Sequence, residues 1–164
     1  VHPPGGARAS GAHCGEAIAI LNIASLPLSC KERGREDAEI QEGRYTMPRQ
    51  EPGEPYFRVS VEETKEMLGQ GDGVALIDVR TPEEYTSGHV TGAIHIPIDD
   101  VLARIDELPQ EKKLLFICAA GQRSGLACEM AAAMGLDANL LYNVEDGTPT
   151  WIEKKYPTSY GADR

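Results

Sequence analysis

Apolar positions fall into short runs from residue 57 onward, separated by amphipathic stretches with cap and breaker residues at their ends. Residues 57–60 form a short strand-like run. Ser60 then caps a helix through Leu68, with Glu63 at the capping-box position. Gly69, Gly71 and Gly73 break it. Residues 74–79 are a continuous apolar run ending in Asp78 and Val79, the pattern of a buried strand. Thr81-Pro82-Glu83-Glu84 begins a second helix, with an N-cap, proline at the first position, then acids. Gly88 and Gly92 bracket a turn containing His89. Residues 93–97 predict a short strand, and 98–108 a helix with Val101, Leu102 and Ile105 facing inward. Residues 114–117 predict a strand buried on both faces. The next helix, 124–134, carries Leu126, Met130 and Met134 at helical spacing and stops at Gly135. Residues 139–144 are the last predicted strand, and 148–155 a short helix that Trp151 anchors to the core. Strands alternating with helices imply an α/β fold: a parallel sheet covered on both faces, joined by right-handed crossovers.

Residues 1–55 show no such order. Proline and glycine recur, and an apolar patch at 17–28 precedes a charged run at 31–42. The patch ends at Ser29-Cys30 and resembles a secretory hydrophobic region before a lipid-attachment cysteine. Asn22 and Pro27 interrupt it, however, and Glu16 stands where a basic cluster belongs. The simpler expectation is an extension at 1–55, flexible or outside the domain, and a single folded domain at 56–160.

Composition narrows the function. The formal charge of −10 and the small aromatic content disfavour nucleic acid and anionic membranes as partners. Residues 1–46 carry 5 basic and 6 acidic side chains, and 47–164 carry 11 and 20, so the folded part is the acidic part. Cys14, Cys30, Cys118 and Cys128 have no CxxC spacing, which fits a reducing, cytoplasmic location. The scattered histidines His2, His13, His89 and His95 form no ligand pattern, so neither a metal nor a cofactor is expected.

Candidate chemistry gathers at Cys118, where a predicted strand meets a helix start, the position at which open α/β sheets bind ligands. The small residues Ala119, Ala120 and Gly121 leave backbone N–H groups free to face the thiol. Such groups bind anions and lower a thiol pKa. Arg123 lies in the first helical turn, where the macrodipole disfavours a cation unless an anion sits nearby. Cys128 reads as a small packing residue.

Three sets of residues together resemble the rhodanese-like sulfurtransferase family. The first is Ile77-Asp78-Val79-Arg80 with Glu84-Tyr85 and Gly88-His89-Val90-Thr91-Gly92-Ala93. The second is Cys118 with Gly121, Arg123 and Ser124. The third is Gly147-Thr148-Pro149 before Trp151, with Tyr156-Pro157 after it. The resemblance runs from about Arg58 to Pro157. It implies a five-stranded, mostly parallel sheet with helices on both faces, and catalysis in which the Cys118 thiolate takes up a sulfane sulfur. The donor would be thiosulfate or a persulfide, one carried by a protein included, and the acceptor a thiol or cyanide. Ala119, Ala120, Gly121, Gln122, Arg123 and Ser124 would form the persulfide-binding loop, with Arg123 as its resident cation. Asp78, Arg80, Glu84 and His89 would support it, Asp78 and Arg80 by hydrogen bonds and ion pairing with Glu84. Phosphatases and arsenate reductases on this fold have five residues between cysteine and arginine. Here there are four, which favours sulfur. A non-catalytic regulatory or docking module is the rival reading. Three departures stand out: Ala119 where a basic residue is common, and Asp146 and Lys155 where glycine is usual. Ala119 leads to the expectation that thiosulfate is a poor donor; the other two read as local variation.

Overall fold

The computed structural model describes residues 47–162. The expectations for residues 1–46, including Cys14, Cys30 and the apolar patch, lie outside the described residues. Five strands form the main sheet: β1 (Phe57–Val59), β2 (Val74–Asp78), β4 (Ile94–His95), β5 (Lys113–Ile117) and β6 (Leu141–Val144). Their order is β1-β6-β5-β2-β4, and every neighbouring pair is parallel. Alternation along β5 divides the core. Leu114 and Phe116 enter the cluster beneath α3 (Gln122–Ala133), while Leu115 and Ile117 enter the opposite one with Val61 and Met67 of α1 (Val61–Gly69). Tyr85 of α2 (Pro82–Thr86) and Trp151 of α4 (Gly147–Glu153) complete that second cluster. Helices thus cover both faces.

The expected caps form. Ser60 and Glu63 make a reciprocal capping box on α1, and Thr81 and Glu84 make one on α2. Asp146 does more than vary: its Oδ2 accepts from Val61 N at 3.1 Å, tying the start of α1 to the start of α4. Trp151 is buried and donates from Nε1 to the Pro157 carbonyl at 2.9 Å. Arg49 exchanges both backbone hydrogen bonds with Arg58, so chain that the sequence assigned to the extension runs beside β1.

Two expectations need correction. The helix over 98–108 is two 3-10 turns, Ile98–Asp100 and Ile105–Glu107. Pro97 and Pro109 bound the stretch, and its repeated aspartates favour turns over helix interiors. Val101 and Ile105 are buried as expected, but Leu102 is exposed. In α3 the buried face is made of small residues, with Met130 partly packed against the core. Leu126 and Met134 are exposed, while Gly125, Ala127, Cys128 and Ala131 are buried. A face of small side chains lets the helix approach the sheet closely, and size misleads where contact is that tight. Finally, His89 is in no turn. It opens strand β3 (His89–Val90), paired antiparallel with β7 (Thr158–Ser159).

Candidate active site

Cys118 follows directly on β5, and α3 begins at Gln122, so the connecting loop is only Cys118 to Gly121. Gly121 takes φ +77°, and a Cβ there would lie 2.8 Å from the Glu145 carbonyl oxygen. From the other side comes Gly147, at φ +72°. A Cβ on it would lie 2.1 Å from the Ala119 carbonyl oxygen, so the loop and the start of α4 touch backbone to backbone. Thr148 seals this contact, its N–H donating to the Cys118 carbonyl at 2.8 Å. The loops after β5 and β6 therefore brace each other.

The Cys118 side chain is almost fully covered, with the residue 1% exposed. Burial pushes its thiol up. The Ser124 hydroxyl and the backbone N–H groups of Ser124, Ala120 and Arg123 push it down, and they win: the thiol lies below its ordinary value. Of the three N–H groups that contribute most, that of Ala120 was expected from composition. The other two come from the first turn of α3, where helical N–H groups have no carbonyl partner within the helix.

Ser124 is fully buried, and its Oγ lies 3.3 Å from Cys118 Sγ and 2.6 Å from Asn143 Oδ1. A hydroxyl has one proton, which serves one of the two acceptors at a time. Asn143 was missed in the sequence. Its signal was there: one buried amide in a strand otherwise reading Leu-Tyr-Val.

Arg123 is not a free cation of the loop. Its guanidinium makes a bidentate pair with Glu84, both contacts at 2.7 Å, and this pairing holds the Glu84 carboxyl at about 2. Glu84 Oε2 also accepts from Thr81 N at 3.1 Å, which fixes the pair to the first turn of α2. The expected partnership of Arg80 with Glu84 is likewise replaced. Arg80 folds back on Asp78, with Nε at 2.9 Å from Oδ1 and Nη2 at 2.6 Å from Oδ2, and it donates to the Gly88 carbonyl at 2.8 Å. Two residues apart at a strand end, these groups meet before either can reach α2. The pair is buried. His89 is buried too, with Nδ1 2.8 Å from the Tyr85 carbonyl oxygen and its ring stacked on that of Tyr85. His95, not singled out in the sequence, brings Nε2 to 2.9 Å from the Arg80 carbonyl oxygen.

Ala120, Gly121 and Gln122 border an open cleft of about 400 Å³ between α3 and the β1–β6 edge, also walled by Arg58, Asn143 and Glu145. Glu145 holds both Arg58 and Arg49. Cys128 is fully buried, and burial raises its thiol well above the ordinary value. Among the described residues, no group of three His, Cys, Asp or Glu side chains is placed to hold a metal. Nor is any helix there long and apolar enough to cross a membrane.

A buried sulfur ringed by one hydroxyl and three N–H donors can hold a sulfur anion and act as a nucleophile. The family model described as Rhodanese-like domain matches residues 60–154. A Bacillus subtilis protein that carries the name sulfur carrier protein YrkF is 31% identical over 96 residues, 58% of this chain and 51% of that protein. This chain thus spans about half of YrkF. Another from the same organism, named as sulfurtransferase YtwF, is 32% identical over 99 residues, 60% of this chain and 93% of that protein. The crystal structure of a rhodanese-related protein from Thermoplasma volcanium superposes with a TM-score of 0.55 at 31% identity, covering 62% of this chain and 96% of the other. Since that family model covers more than half of its length, the chain belongs to the rhodanese-like domain family.

Proposed function

We infer that this protein is a rhodanese-type sulfurtransferase working through a Cys118 persulfide. The names of its relatives, sulfurtransferase and sulfur carrier, support sulfur transfer in general. One observation carries the finer reading: a buried thiol pulled below its ordinary value by Ser124 and by the N–H groups of Ala120, Arg123 and Ser124.

In the first step the Cys118 thiolate attacks the sulfane sulfur of thiosulfate or of a persulfide. The new S–S bond forms as the donor's bond to that sulfur breaks, and its electron pair leaves with sulfite or the donor thiolate. The persulfide anion stays on Cys118, where the same donors solvate it. In the second step cyanide or a thiolate attacks the outer sulfur, and the Cys118 thiolate returns as leaving group. The Ser124 hydroxyl and the loop N–H groups favour the thiolate, so no separate base is assigned. Asp78, Arg80, Glu84 and His89 hold the surrounding loops, and Gln122 lies at the loop's open side. Steady-state assays with thiosulfate or benzenethiosulfonate and cyanide test this. The reading predicts thiocyanate from the wild type and none from Cys118→Ser; equal rates from both would overturn it.

A further inference from the structure

The Arg123–Glu84 pair changes what the loop can select. Around the loop, the described arginines are each held by a carboxylate: Arg123 by Glu84, Arg80 by Asp78, Arg58 and Arg49 by Glu145. The groups that donate to the sulfur are a hydroxyl and three N–H dipoles; the Arg123 charge also acts on Cys118, but it is offset by its bidentate pairing with Glu84. Dipoles at contact distance stabilise one anionic atom well. They do little for a second negative charge farther out, because dipole fields fade faster than those of ions.

We propose that Glu84 is a specificity-determining residue: by neutralising Arg123 it tunes the Cys118 site to sulfur donors bearing one negative charge and against dianions. The preferred class is thiosulfonates and organic persulfides; the disfavoured donor is thiosulfate. This rests on the sulfurtransferase reading above. It moves the origin of donor choice from the loop's composition to an ion pair with a helix 39 residues away in sequence.

Both donors deliver sulfur in the same way. Thiosulfate gives Cys118 its outer sulfur and leaves as sulfite, and benzenethiosulfonate gives one sulfur and leaves as benzenesulfinate. Each leaving group carries away the electron pair of the broken bond, so total charge is unchanged in either step. The two differ in what the site must tolerate on approach. A unit charge about 7 Å away, at an effective dielectric of about 40, changes the binding of each further unit charge by about five- to tenfold. Removing the Glu84 charge therefore favours the dianion over the monoanion by about that factor.

Glu84→Gln is the clean variant. It keeps the side-chain shape and an oxygen to accept from Thr81 N–H, which a capping box tolerates. The measurement is kcat/KM for thiosulfate and for benzenethiosulfonate, with cyanide as acceptor, in wild type, Glu84→Gln and Glu83→Gln. Glu83 is exposed and adjacent, so its variant controls for overall charge. The thiosulfate-to-thiosulfonate ratio is expected to rise about five- to tenfold in Glu84→Gln and to stay unchanged in Glu83→Gln. An unchanged ratio in Glu84→Gln, or an equal rise in both variants, would overturn the proposal. Wild type gives a second reading that depends on no variant. Its thiosulfate kcat/KM should rise with ionic strength, because an uncompensated acidic domain repels a dianion. A fall with salt would reveal a free cation at the site and refute the idea. Failure of the parent reading looks different: neither donor would leave sulfur on Cys118 by mass.

Discussion

Ser124→Ala tests how the thiol is tuned. Among the described residues, the substitution removes the only side-chain donor to Cys118 Sγ, and it leaves the three N–H groups in place. A hydrogen bond to a charged group contributes about 1.5–3 kcal/mol. The Ser124 proton is shared with Asn143 and the Oγ–Sγ distance is 3.3 Å, so the lower end applies. The thiol is expected to rise by about one pKa unit. Reactivity changes by less than the thiolate fraction, because a more basic thiolate is a better nucleophile, with a Brønsted slope of about 0.4. Exchange with a small aromatic disulfide, followed against pH, should slow about fourfold on the rising limb below the inflection and reach a plateau about 2.5-fold higher at alkaline pH. Cys128 does not interfere, being fully buried. Asn143→Ala gives the opposite sign, since the hydroxyl then serves sulfur alone and the thiol moves down. If both variants shift the profile the same way, or neither shifts it, the shared-proton account is refuted.

The remaining predictions concern the scaffold. Gly147→Ala places a Cβ 2.1 Å from the Ala119 carbonyl oxygen in a left-handed conformation, so it should cost about 3 kcal/mol in urea unfolding and abolish thiocyanate formation; an unaltered midpoint would contradict the close contact. Lys155 has φ +57° at the C′ position of a Schellman motif, with Tyr156 N bonding to the Trp151 carbonyl and Lys155 N to that of Ile152. Lys155→Gly should raise stability by about 0.5–1 kcal/mol, measured as an increased Tm. The Glu84 carboxyl is depressed from 4.5 to about 2 in the folded state, so its contribution is complete above pH 4.5 and lost as pH falls through about 2. After allowance for its partial exposure, Glu84→Gln should cost about 1 kcal/mol at pH 7 and less than half of that at pH 3, by denaturant titration.

Local signals in the sequence were reliable where the physics is local. The capping residues Ser60, Glu63 and Thr81 announce α1 and α2, and the apolar runs at 74–79 and 114–117 mark the central strands. Cys118 was legible because a strand-to-helix junction and a run of small residues coincide there. What failed depended on tertiary fit. The buried face of α3 is made of small residues, so its close packing on the sheet could not be read from its large apolar positions. Arg123 could not be matched to Glu84 from spacing, because the topology brings α2 and α3 together across the site. The Ser124–Asn143 contact likewise joins α3 to β6. Lys155 looked like ordinary variation because its cost lies in backbone conformation, which only φ reveals.

The central claim is that Cys118 carries the transferred sulfur. Intact-protein mass spectrometry after incubation with benzenethiosulfonate should show one added sulfur atom, mapped to the Cys118 peptide and discharged by cyanide. Cys118→Ser should gain none. Sulfur found on Cys128, an adduct that persists in Cys118→Ser, or no adduct with any donor would contradict the account.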